Sequence, residues 1–262
     1  MRRAVTLRRA MALAVVVQLS VTSAASADEI RVMTSGGFTA AYNELTPQYE
    51  SATRDKVLTA YGASMGNAPD SIPSRLERGE PADIVILAAP ALEELIKQGK
   101  VVPGSRVDLV RSTIGMAVRA GAPKPDISTV EAFKRTLLDA KSIAYSASAS
   151  GTYLSTELFQ RLGIADQVLP KSKRIVSERV GSVVARGEAE LGFQQVSELL
   201  PIEGIDYVGP LPAEMQKVTV FSAGIVVGAK EPEAAKALIR YFTSADAAPV
   251  ISKTGLEPMT RK

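Results

Sequence analysis

The chain of 262 residues contains no cysteine and no histidine. The first absence leaves no disulfide and no thiolate nucleophile. The two together remove zinc, copper and iron sites built on nitrogen or sulfur ligands. They also remove serine–histidine and cysteine–histidine catalysis. Aromatic residues make up 5% of the chain, dispersed at helical or strand spacing, which reads as core and not as a stacking platform. No GxxxxGK[ST] loop and no GxGxxG fingerprint occurs, so the common nucleotide cradles are missing. No carboxylate pair stands out for acid–base work. Asp83 and Glu190 precede apolar runs, at the starts of expected strands and so at the wrong edge of a parallel sheet.

The first 27 residues read as an export leader. Arg2, Arg3, Arg8 and Arg9 precede an apolar run to Val21, and Ala25-Ser26-Ala27 follows as a small-x-small cleavage pattern. The run falls short of the roughly 20 apolar residues that span a bilayer. With 31 Lys and Arg against 28 Asp and Glu, the whole chain carries +3. The leader holds four arginines and no acid, which leaves 27 against 28, or −1, for the remainder. The basic balance is therefore no sign of a nucleic-acid surface. The expected location is the periplasm.

From residue 28 the pattern alternates short apolar runs with amphipathic stretches. "EIRVMTS" (29–35) reads as a buried strand, and Phe38, Ala41, Tyr42, Leu45 and Tyr49 recur at helical spacing behind it. "ADIVILAA" (82–89) is a near-continuous apolar run, as for a strand covered on both faces. Ser128 with Glu131 forms a capping-box pattern. Strand and helix in alternation predict an α/β fold with parallel βαβ units. Two extended segments, 111–125 and 217–230, interrupt the alternation and are placed to cross between two lobes. The first lobe is expected to take residues 28–112 and 225–262, the second 113–224.

Three strand-to-helix junctions share one chemistry. They are Thr34-Ser35-Gly36-Gly37, Gly62-Ala63-Ser64-Met65-Gly66-Asn67 and Ser148-Ala149-Ser150-Gly151-Thr152. A helix start has unpaired N–H groups and the positive end of the dipole. Glycine lets backbone approach a ligand, and a hydroxyl adds an orientable donor. Together they make an anion site without fixed positive charge. "GFQQVSE" (192–198) adds Gln194, Gln195 and Ser197 after an apolar strand. Taken singly, every junction is equally a plain capping motif. The expected ligand-binding set is Ser35, Gly36, Gly37, Ser64, Met65, Asn67, Ser148, Ser150, Gly151, Thr152, Gln194 and Gln195.

The leader, the Ser35-Gly36 junction, the second serine junction before "PSRLERGEPADIVILAAPALEELIKQGKV" and the later "RGEAELGFQQVSEL" resemble the periplasmic molybdate-type solute-binding proteins of ABC transporters. The resemblance spans residues 28–262. It implies a two-lobed type II periplasmic binding protein fold. Each lobe would be a mostly parallel sheet flanked by helices, with two crossing segments between lobes and hinge closure on an oxyanion. It also implies a membrane permease as partner, a monomer, no cofactor, no metal and no enzymatic activity. By motif position Ser35 and Ser64 match the family's hydroxyl ligands, Ser150-Gly151 the second-lobe junction, and Gln195 the residue after the "LG" strand. The chain departs from the pattern in "SMGNAPDSIPSRL", where Gly66, Asn67 and Pro69 lengthen the second junction. A wider pocket with Asn67, Thr152, Gln194 and Gln195 would suit a small organic di- or tricarboxylate, the alternative to a molybdate-like oxyanion. A different class, a secreted serine hydrolase without histidine, needs a base near a serine. No lysine stands at adjacent or helical spacing from Ser35, Ser64 or Ser150.

Overall fold

The computed structural model describes residues 27–259. The expected leader therefore lies almost entirely outside the described residues. The chain begins β1 (Glu29–Ser35), α1 (Gly36–Thr53), β2 (Lys56–Gly62), α2 (Ile72–Glu77), β3 (Ile84–Ala88), α3 (Ala89–Lys97) and β4 (Val107–Ser112). It continues β5 (Ile114–Arg119), α4 (Val130–Asp139), β6 (Ile143–Ser146), α5 (Ala149–Tyr153), α6 (Phe159–Arg161) and α7 (Ala165–Val168). Next come β7 (Ser172–Ile175), α8 (Val180–Ala185), β8 (Leu191–Gln195), α9 (Val196–Leu199) and β9 (Ile205–Pro210). It closes with β10 (Thr219–Ile225), α10 (Pro232–Phe242), α11 (Ala247–Lys253) and β11 (Glu257–Pro258).

Two sheets result, one per lobe. The first is six-stranded in the order β11-β4-β10-β3-β1-β2, the second five-stranded in the order β7-β6-β8-β5-β9. Both are mixed. β1 runs parallel to β2 and β3, and β6 runs parallel to β7 and β8. β10 is antiparallel to β3 and β4, and β5 is antiparallel to β8 and β9. The chain passes between sheets from β4 into β5 and from β9 into β10, all of them strands in antiparallel pairs. Thr113 separates β4 from β5, so the first crossing is a single residue. The whole of β10 lies in the first sheet, so the chain returns before Thr219, earlier than the boundary expected at 225.

Each lobe has its own core. α1 buries Phe38, Ala41, Tyr42, Leu45 and Tyr49 against β1, β3 and the carboxyl-terminal helices, as their spacing predicts. Phe38 meets Phe242 edge to face with ring centroids 5.4 Å apart. Removing a side chain of this size from water stabilises the fold by about 2–3 kcal/mol. All five residues of β3 are buried, which explains its unbroken apolar run. In the second lobe Phe133, Phe159 and Phe193 anchor a cluster around β5, β6 and β8. The turn after α3 passes through Gly99, whose φ of 68° is a glycine conformation, and the Lys100 N–H closes it onto Leu95 O at 2.9 Å. The α4 cap falls one residue later than expected. Thr129 Oγ1, not Ser128, accepts from the Ala132 N–H at 3.1 Å. Ser128 is held in the preceding turn, donating its N–H to Asp126 Oδ1.

Candidate functional site

The carboxyl ends of β1, β2, β6 and β8 open onto one cavity of about 430 Å³ between the lobes. Parallel strands end with their following helices starting at the same edge, so hydroxyls and backbone N–H groups gather there. Ser35, Gly36, Gly37, Ser64, Ser148, Ser150, Gln194 and Gln195 all line it. These residues come from both lobes.

Their hydrogen-bond states differ. Ser35 precedes α1 in an extended conformation, makes no side-chain cap, and leaves its buried Oγ without a partner. A buried hydroxyl left unpaired costs about 1–3 kcal/mol, which a ligand oxygen would relieve. Gln195 donates from Nε2 to Thr219 Oγ1 at 3.1 Å, while its buried Oε1 is also unpartnered. Ser146 and Ser150 share a hydroxyl–hydroxyl bond of 3.0 Å. Ser64 Oγ accepts from the Ala88 N–H at 3.0 Å, tying the second junction to the end of β3. Gly37 is glycine because a Cβ there would overlap the Phe221 ring. Its carbonyl accepts from Ser197 Oγ at 2.8 Å, a bond between the lobes.

Four expected residues lie elsewhere. Met65 and Thr152 line a neighbouring cavity of about 360 Å³ with Tyr153 and Lys217. Thr152 follows the first turn of α5, which rotates its hydroxyl toward Met65 Sδ, 3.8 Å away. Asn67 is exposed, because the loop curls back through Gly66 (φ 93°), whose carbonyl accepts from Ser71 Oγ at 2.9 Å. Gly151 sits behind the cavity wall, where a Cβ would overlap Ser146 O. Its role is close approach of α5 to β6.

Sequence reasoning missed Asp70, Arg179 and Glu198, which also line the cavity. Among the described lining residues Arg179 is the one basic side chain. Asp70 Oδ1 is buried without a partner. Glu198 stands third from Gln195, the residue before α9, at capping-box spacing, with the Gln195 N–H facing its carboxyl. It also accepts from Gln194 Nε2 at 2.8 Å, while Gln194 Oε1 accepts from the Val180 N–H at 2.9 Å. The carboxyl reaches across to α1, where a methyl group on Gly36 would overlap Glu198 Oε1. Burial pushes the Glu198 carboxyl up to about 7, against the opposing pull of Arg179 and of the Gln194 and Gln195 hydrogen bonds. The capping spacing was the signal available for Glu198. Nothing in the sequence marked it as desolvated.

A two-lobed α/β scaffold with a polar interlobe cleft agrees with what the chain matches by sequence. Residues 30–257 match the bacterial extracellular solute-binding proteins. The chain belongs to that family. It is 50% identical over 230 residues to a protein of Pseudomonas sp named aconitate isomerase, covering 88% of each chain. It is 28% identical over 240 residues to a molybdate-binding protein of Azotobacter vinelandii, covering 88% of this chain and 91% of that one. Among solved structures, the periplasmic molybdate-binding protein of Azotobacter vinelandii superposes with a TM-score of 0.70 at 22% identity, over 89% of this chain and 100% of that one. The sulfate-binding protein of Mycobacterium tuberculosis gives 0.67 at 19% identity, over 88% and 87%. These two structures establish the fold. The expectation of a protein without enzymatic activity is overturned by the 50% identical relative, which is named as an isomerase. The absence of histidine and cysteine excluded the familiar nucleophiles, but moving a proton requires neither.

Proposed function

We propose that this protein binds aconitate, an unsaturated tricarboxylate, in the interlobe cleft and interconverts its cis and trans forms. Half-identity to a protein named aconitate isomerase across 88% of both chains carries the reading. The cavity chemistry supports it. A volume of about 430 Å³ lies within the range of sites for small organic ligands. Ser35, Ser148 and Ser150 offer neutral donors from both lobes, and Arg179 supplies one positive charge. A carboxylate takes such donors as readily as a tetrahedral oxyanion does. Cleft closure exchanges water around the substrate for fixed dipoles and holds the carbon skeleton in one conformation. The family and the leader-like first 27 residues support a periplasmic location. Delivery of the bound acid to a membrane permease is the role that transport relatives suggest for the same closing motion.

The test is direct. The purified protein is mixed with cis-aconitate and, separately, with trans-aconitate, and the products are followed by proton NMR. Both should converge on one mixture. A thermal-shift series with molybdate, sulfate and both aconitates runs in parallel, and the aconitates should raise the melting temperature. Submicromolar binding of molybdate without conversion of either aconitate would replace this reading with oxyanion capture.

A further inference from the structure

We infer that Glu198 is the catalytic residue of this site, its carboxylate carrying the proton between the two carbons of the substrate's allylic unit. The inference rests on the proposed aconitate reading and deepens it.

Aconitate holds a methylene carbon, a substituted central carbon and a vinyl carbon in a row. Its isomers interconvert without rotation about a double bond if the proton moves from one end of this unit to the other. The Glu198 carboxylate takes a proton from the methylene: a C–H bond breaks and an O–H bond forms. The freed electron pair spreads over the three carbons and the adjoining carboxylates. The same carboxyl then returns a proton to the former vinyl carbon, and the double bond settles between the other pair. Atoms and charge balance with no further reactant. The geometry of the new double bond is set by how the cleft holds the former methylene arm.

Three observations select Glu198. It lines the cavity with its carboxyl packed against Gly36, where any side chain would collide with Oε1. Its carboxyl is held by Gln194 Nε2 at 2.8 Å, beside the Gln195 N–H. Arg179 stands beside it, donating from Nη1 to the Glu198 main-chain carbonyl oxygen at 3.4 Å. A cation beside the base is placed to stabilise the negative charge that develops on a substrate carboxylate. A carboxyl raised to about 7 is suited to accept and return protons near neutral pH. The other ionisable groups facing the cavity are Asp70, Glu178, Tyr61 and Arg179.

A purely structural Glu198 would do no more than cap α9 and accept from Gln194. Glu198→Gln keeps both functions, since glutamine serves the capping box equally, but cannot take up a proton. The experiment measures conversion of cis- and trans-aconitate by wild type, E198Q, E198D and D70N. Calorimetric trans-aconitate binding and a kcat/KM pH profile accompany it. In E198Q, kcat should fall by about 10²–10⁴-fold with binding retained. E198D should keep partial activity, and the wild-type profile should lose activity as Glu198 protonates below about pH 7. E198Q active within a few-fold of wild type would overturn the assignment while leaving the aconitate reading intact. So would loss confined to D70N, which would name Asp70 as the base. Absence of conversion by wild type would overturn the aconitate reading itself, and the Glu198 assignment with it.

Discussion

Asp83 shows how a carboxylate at the start of a strand serves the fold. It is buried at the amino end of β3, and its Oδ2 accepts from the Arg31 N–H at 2.7 Å. Oδ1 accepts from Lys230 N at 2.6 Å and from Glu231 N at 3.1 Å. Three backbone donors from β1 and the turn before α10 thus converge on one side chain. Asp83→Asn turns one acceptor into a donor facing an N–H, and should destabilise by about 2–3 kcal/mol in urea unfolding, with isomerisation by the folded fraction unchanged. Gly36 is the counterpart on the cavity side. Gly36→Ala forces Glu198 Oε1 from its position, and a displacement of about 1 Å there should lower kcat by about 10²-fold. Urea stability close to that of wild type would separate this from a folding defect. Unchanged kcat would show that the carboxyl need not lie against α1.

At the scale of elements, one side chain ties the stretch before β10 to the start of β5. Gln216 Oε1 accepts from the Ile114 N–H at 2.8 Å, and its Nε2 donates to Ile114 O at 2.9 Å. The amide therefore pairs with the first residue of β5 as a strand neighbour would, in the stretch where the two crossings run side by side. Gln216→Ala removes both bonds and should cost about 1–2 kcal/mol in urea unfolding. A looser crossing should also weaken aconitate binding, because more freedom is lost on closure. Calorimetry checks this, and equal affinity in the variant would mean that Gln216 stabilises the fold without bearing on closure.

For the molecule as a whole, Glu198 couples stability to pH. Its folded value of about 7 lies above the ordinary carboxylate value of 4.5. A raised acid favours the folded state in its protonated form, so this contribution is complete below about pH 4.5 and fades as pH rises through about 7. Wild type should lose stability between pH 5 and pH 8 relative to E198Q, measured by urea unfolding at both values. A constant difference between the two proteins would remove the coupling. Substrate at 100 times its dissociation constant should add about 2.7 kcal/mol of stability.

The alternation of strand and helix, the amphipathic face of α1 and the continuous apolar β3 are local patterns, so residue order alone determined an α/β architecture. The junctions at Ser35, Ser64 and Ser150 were legible for the same reason, since hydroxyls and glycines at strand ends are a local signature. Residue order could not decide which junction residues face the cleft. Two helical positions, about 200° of rotation, separate Ser150, on the cavity wall, from Thr152, beside Met65, and that placement is set by packing of α5 on β6. Nor could it decide the chemistry. Glu198 is an ordinary capping residue in its own segment. It becomes a desolvated carboxyl only where α9 of one lobe meets the start of α1 of the other, because desolvation depends on neighbours 160 positions away, at the span bridged by the Ser197–Gly37 bond.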